Sequence, residues 1–153
     1  MAMNRLRKNE SGQTLVEFAL IASLLFLILF GIIEFGRIFH AYLVVTSAAR
    51  EGARKAAVTG TVADIDTAIR SAVSSLSTNV VSKSKNEVLS TMAPSAGQVW
   101  YAIYYPQNGG YRRFGDPVEI YIKGRIDLVV PIISNIVGTP YLPRAYAVMR
   151  VEN

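Results

Sequence analysis

From Phe18 to Ile33 the chain carries no charged residue, and the run FALIASLLFLILFGII is built from Leu, Ile, Phe and Ala with single Ser and Gly breaks. As an α-helix this run extends about 24 Å, a little short of a hydrocarbon core of about 30 Å. Leu15, Val16 and Phe35 lengthen the stretch to roughly 21 positions but bring in Glu17 and Glu34 near its ends. A membrane span is the expected structure. A cleaved secretory signal fits less well, because the apolar region is longer than such signals use and Glu34-Phe35-Gly36-Arg37 follows where a small-x-small site is needed. Arg5, Arg7 and Lys8 precede the span and only Arg37 lies close behind it. The positive-inside rule therefore places the N-terminus in the cytoplasm and everything after about residue 37 outside.

With the span set aside, about 100 of the 153 residues remain, enough for one small domain. The net charge of +5 is partly accounted for by the basic N-terminus, and the rest gives no basis for nucleic-acid binding. Cysteine is absent, which excludes disulfides and thiolate metal sites. His40 is the one histidine and has no second ligand near it in sequence, so no metal and no cofactor are expected. Glu17 and Glu34 stand roughly 26 Å apart along one helix, too far to act as an acid–base pair within one chain. Neither a phosphate-binding Gly loop nor a nucleophile with plausible partners is visible, and the chain is expected not to be an enzyme.

A carboxylate inside the start of a membrane helix is costly, so Glu17 calls for an explanation. One reading is that it snorkels to the cytoplasmic headgroups. The other begins from its surroundings: a basic leader, then Gly12, then Gln13-Thr14-Leu15-Val16-Glu17-Phe18. A short basic leader ending in Gly, with Glu as the fifth residue beyond it and an apolar helix following, resembles the processing site of type IV prepilins. The resemblance implies cleavage between Gly12 and Gln13 by a membrane prepilin peptidase, and pairing of Glu17 with the new N-terminal amine of a neighbouring subunit. An amine and a carboxylate brought together at low dielectric offset each other's burial, whereas either alone is destabilising.

Beyond Ile33 the helical spacing continues. Ile38, Tyr42, Val45, Ala49, Gly52, Ala53 and Ala56 fall on or near one face, with Arg50, Glu51, Arg54 and Lys55 mostly on the other. No breaker appears until Thr59-Gly60, where Gly60 suits a left-handed helix end. A helix over about 13–59, on the order of 70 Å long, is expected. Ala48, Gly52 and Ala56, and likewise Ala49, Ala53 and Ala57, present small faces that admit close approach of another backbone, either the chain's own sheet or a neighbouring subunit's helix. Glu34 and Arg37 are spaced to pair at the outer membrane interface, marking the water boundary or setting register against a neighbour.

The stretch Val16 to Gly60, with Glu34-Phe35-Gly36-Arg37 and Ala49-Arg50-Glu51-Gly52-Ala53-Arg54, resembles the TadE family of Tad (tight adherence, Flp-type) pilus-assembly proteins. The end of the chain, Ala147 to Glu152, is also similar to that family's end. The resemblance implies a pilin-like minor component of a Tad pilus, either a fibre subunit or an assembly or priming component. Its implied partners are the prepilin peptidase and other pilin-like subunits, with homo-oligomerisation among the options. Glu17, Glu34, Arg37 and Gly52 are the candidate assembly residues. The implied location is the bacterial inner membrane, with incorporation into a surface fibre. The alternative is a membrane-anchored adhesion or scaffolding protein that never enters a fibre.

The sequence divides into a leader (1–12), a transmembrane helix (13–37), its extramembrane continuation (38–60) and an exported domain (61–153). Thr61 is an N-cap candidate for a second helix with Val62, Ile65, Ile69, Ala72, Val73 and Leu76 as its apolar stripe. The polar stretch Ser74 to Asn86 suits a loop. Val118, Ile120, Ile122, Ile126 and Leu128 alternate with polar residues or Tyr121, and Ala145, Ala147, Met149 and Val151 alternate likewise. Gln98 to Tyr105 forms a third strand and Glu87 to Met92 a fourth, with a turn at 106–110. The expected fold class is α+β: a long N-terminal transmembrane helix continuing into a small pilin-like domain with a second helix and a three- to four-stranded antiparallel sheet.

Two surfaces are candidates for binding. Tyr104, Tyr105, Tyr111, Arg112, Arg113 and Phe114 surround the hairpin loop, an ordinary amphipathic tip or an aromatic–basic patch for adhesion. Val129 to Val137 is apolar and uncharged, suited to capping the core or to touching the membrane or a partner subunit.

Overall fold

The computed structural model describes residues 10–59, 61–107 and 112–152, with side chains of the first helix from residue 12 onward. The leader cations Arg5, Arg7 and Lys8, the helix end expected at Gly60, and Tyr111 of the hairpin loop lie outside the described residues.

Helix α1 runs without interruption from Glu10 to Val58, 49 residues, roughly 73 Å. Its composition changes along the way. Every large apolar side chain from Leu15 to Ile33 is between 41% and 69% exposed, so none of the described residues covers this half of the rod. From Ala41 onward one face is buried, and Ala41, Val45, Ala48, Ala49, Ala53 and Ala56 are fully covered. The covering comes from α2 (Val62–Val73) and a four-stranded sheet. Ile65, Ile69 and Val73 of α2 are completely buried at the spacing of one helix turn, whereas Val62, also assigned to the stripe, is 62% exposed. Thr61 does sit at the N-cap, in an extended conformation, although its side chain makes no capping bond.

The sheet comprises β1 (Asn79–Ser82), β2 (Gln98–Tyr104), β3 (Pro117–Lys123) and β4 (Arg144–Arg150), in that spatial order. Strands β2, β3 and β4 pair antiparallel, but β1 pairs with β2 in parallel, so the sheet is mixed and the expectation of a wholly antiparallel sheet is corrected. Parallel neighbours need a crossover, and here the helix α3 (Lys85–Leu89) with the turns after it supplies one. That arrangement corrects two further expectations. Asn79–Ser82 is a strand inside the stretch taken as loop, and Glu87–Met92 is not a strand. Instead Ser84 caps α3 with its side chain on the Glu87 amide, and Glu87 bonds back to the Ser84 amide, a complete capping box. Strand β3 stops at Lys123, leaving Ile126 in an isolated bridge to Tyr141 and Leu128 outside the sheet.

Register sorts the two faces. Tyr101, Ile122 and Ala145 align across three strands, as do Ile103, Ile120 and Ala147, and this face lies on α1 and α2. The rows Trp100–Lys123–Arg144 and Ala102–Tyr121–Tyr146 point the other way, where Val88 of α3 packs on Trp100 and Ala102.

Candidate functional site

The candidate residues fall into three groups along the rod. At its start, Gly12 and Gln13 lie within α1, nothing approaches Gly12, and the Gln13 amide donates to Glu17 Oε1 at 3.0 Å one turn on. Both side chains are exposed. The Glu17 carboxylate is thus bonded to the side chain of the residue that follows the bond expected to be cut, on an exposed stretch of the helix.

The second group, at Glu34, is more built than the sequence foretells. Arg37 Nη1 lies 2.9 Å from Glu34 Oε1, the expected pair. Yet Glu34 is only 2% exposed although it sits on the lipid-length half of the rod. A loop of the domain covers it: the Val129 amide donates to Glu34 Oε1 at 3.2 Å, and Arg37 Nη2 donates to the Asp127 carbonyl at 3.3 Å. Asp127 in turn accepts two bonds from Arg125, whose Nη1 reaches the Pro94 carbonyl. Glu34 is thus the point where the head of the molecule is tied to the rod. Sequence reasoning misses the tether because its decisive donor is a main-chain N–H, which no residue type announces.

The third group joins rod and domain. A Cβ built on Gly52 would lie 2.9 Å from Ile69 Cγ1 and 3.3 Å from Ile120 Cγ2. The small face containing Gly52 is therefore occupied by this chain's own α2 and β3. At the end of α1, Arg112 donates to the carbonyls of Ala57 (3.2 Å) and Val58 (3.4 Å), and the Glu152 amide donates to Ala57 O at 3.0 Å. A cation over unpaired terminal carbonyls is a favourable helix end. Of the hairpin-loop residues, Tyr105 packs on the main core, where burial pushes its phenol up, and Arg112 closes the rod. Among the described residues of that patch, Arg113 and Phe114 are the exposed pair, Phe114 at 78%.

A polar cluster unremarked in the sequence lies under α3. Lys123 is fully buried, and its ammonium donates to the carbonyls of Ser90 (2.7 Å), Met92 (3.1 Å) and Glu87 (3.5 Å). Burial and the adjacent Arg144 guanidinium push Lys123 down to about 8. Arg144, its register partner, bonds the Leu89 and Ser90 carbonyls. The two cations together close the C-terminal end of α3. Among the described residues, no group of three or more His, Asp or Glu side chains is placed to hold a metal ion.

Helix α1 has an 18-residue window of mean hydropathy 2.7, none of it buried, and among the described residues it is the one helix long and apolar enough to cross a membrane; its other half carries the small α+β head. The family model described as TadE-like protein matches residues 12–54, a stretch that takes in Gly12, Glu17, Glu34, Arg37 and Gly52, so over the rod the chain is similar to that family. No curated protein and no solved structure matches the chain.

Proposed function

We propose that this chain is a pilin-like minor component of a Tad pilus, cut between Gly12 and Gln13 by a prepilin peptidase, with its rod in the inner membrane and its head outside. The observation that carries this reading is the division of α1: residues 15–33 expose apolar side chains all round, while the domain engages the helix only from Glu34 onward. A rod left bare over a bilayer's length suits both residence in lipid and side-by-side packing with like rods. Glu17, one turn after Gln13, would meet a neighbour's new amine in that packing. Gly52 acts earlier, by letting the head close on the rod so that each subunit presents one shape.

Fractionation tests the reading. Native cells expressing an epitope-tagged chain are sheared, and the released fibres are separated from membranes. Recovery of the chain in the fibre fraction, or loss of fibres when the chain is deleted, is the expected result. A chain confined to membranes whose deletion leaves the fibres intact would instead identify an anchored adhesion or scaffolding protein.

A further inference from the structure

The segment Leu128–Pro143 has the sequence LVVPIISNIVGTPYLP and carries no charged residue. It contains a short helix, α4 (Pro131–Val137), with Pro131 opening it and Gly138 closing it at φ 88°, a conformation that favours glycine. Only Ile133 of this helix is buried. Val129 is 73% exposed, Ile132 53% and Ile136 79%. Such a cluster at one place on a small domain marks a contact surface.

Its position decides what it contacts. The Val129 amide is bonded to Glu34, and the Asp127 carbonyl to Arg37, so the root of the segment is fixed to the rod at Glu34. Glu34 lies roughly 26 Å from Glu17 along the axis, which is the far edge of a hydrocarbon core entered near Glu17. At the same height Ile33 and Phe35 of α1 are 52% and 57% exposed, so the apolar surface of the segment continues the apolar surface of the span. Just before it in the chain stand Arg125 and Asp127, paired at 2.8 Å, and Arg37 of the rod is bonded to the Asp127 carbonyl, which makes a charged belt suited to headgroups. Charges stop at Asp127 and resume at Arg144.

We propose that α4 and its flanking turns lie in the outer half of the bilayer beside the spanning helix, giving the head a second lipid contact. This rests on α1 crossing the membrane. A single rod leaves the head free to rotate and tilt; two contacts on different elements hold it at one height and one orientation.

The absence of cysteine allows a label at one chosen site. The full-length variants Ile136→Cys, Ile132→Cys, Ser23→Cys and Phe114→Cys are each labelled with an environment-sensitive NBD dye. They are reconstituted in phosphatidylethanolamine–phosphatidylglycerol vesicles containing lipid with a nitroxide either near the acyl carbonyl or near the chain end. The expected result is emission at positions 136 and 132 that is blue-shifted and quenched by about half by the shallow nitroxide, as for a helix seated about 5–10 Å deep. Ser23→Cys should be quenched best by the deep nitroxide, and Phe114→Cys, beside the far end of α1, by neither. Quenching at 23 without quenching at 136 and 132 overturns the proposal, and a blue shift at those two sites without quenching does so in favour of a protein partner. Loss of quenching at 23 defeats the spanning rod itself.

Discussion

The amide of Val129 donates to the carboxylate of Glu34 across 95 positions of chain, 3.2 Å apart, and by that bond the last part of the domain is fastened to the middle of the N-terminal rod. Glu34 is 2% exposed and serves Arg37 as well, so one carboxylate satisfies a main-chain donor and a guanidinium. Glu34→Ala leaves both donors without it. The expected loss is about 1–3 kcal/mol of local stability, read as hydrogen exchange at Val129 faster by about fivefold or more. Glu34→Gln keeps an acceptor oxygen and should show the smaller effect. Unchanged exchange in both variants would mean that the tether does not hold the loop.

At Gly52 the rod packs tightly against α2 and β3 of the domain. Gly52→Ala places a Cβ 2.9 Å from Ile69 Cγ1, so the Ile69 side chain or the helix that carries it must shift. Overpacking of this kind costs about 1–3 kcal/mol. Thermal unfolding in detergent should show a lowered midpoint, and Gly52→Ala should cost less in an Ile69→Ala background than in the parent, because alanine lacks both Cγ1 and Cδ1, the carbons nearest the new Cβ. A midpoint unmoved by Gly52→Ala contradicts the packing.

Arg112 and Arg113 are neighbours with different work. Arg112→Ala removes the cation from the last carbonyls of α1 and should cost about 1 kcal/mol. Arg113→Ala and Phe114→Ala, both on exposed side chains, should leave the midpoint within about 0.5 kcal/mol of the parent. Equal losses at 112 and 113 would mean that the loop does not close the helix.

Lys123 gives the domain a pH signature. Its folded value, about 8, lies below the ordinary 10.5 because burial and Arg144 disfavour the ammonium. The unfolded chain therefore holds the proton more firmly, and between about pH 8 and 10.5 stability contributed by this group rises with pH. The phenols act oppositely: burial of Tyr101 and partial burial of Tyr105 and Tyr121 push them up, so deprotonation above about pH 10 favours unfolding. Lys123→Met isolates the lysine contribution. Denaturant titrations from pH 7.5 to 9.5 should show a rise in the parent relative to the variant; parallel curves would refute the shift.

The parts of this fold that were legible in the sequence are those with long, repeated signals. The uncharged run from Phe18 to Ile33 and the small-residue faces after it announced the rod, and alternation at Val118, Ile120 and Ile122 announced β3. Strand β1 has only Val80 and Val81 between polar ends, too little for a period to emerge, and its partner is parallel and non-local. Helix α3 is five residues long, too short for a helical period to repeat, although Ser84-x-x-Glu87 is a capping-box signature that was open to notice. Glu87 shows the strength of that box: hydrogen bonds from the Ser84 amide and hydroxyl, and Lys83 beside it, hold its carboxyl down at about 2. The pairing of Glu34 with Arg37 was visible at i,i+3, but its burial was not, since the cover comes from a loop ninety-odd positions away.

The central claim, a rod trimmed at Gly12 so that Glu17 can meet a new amine, is tested most directly by mass spectrometry of the N-terminal peptide of the protein purified from its native cell. The account predicts a chain beginning at Gln13. A mature chain that still begins at Met1 or Ala2 would contradict it.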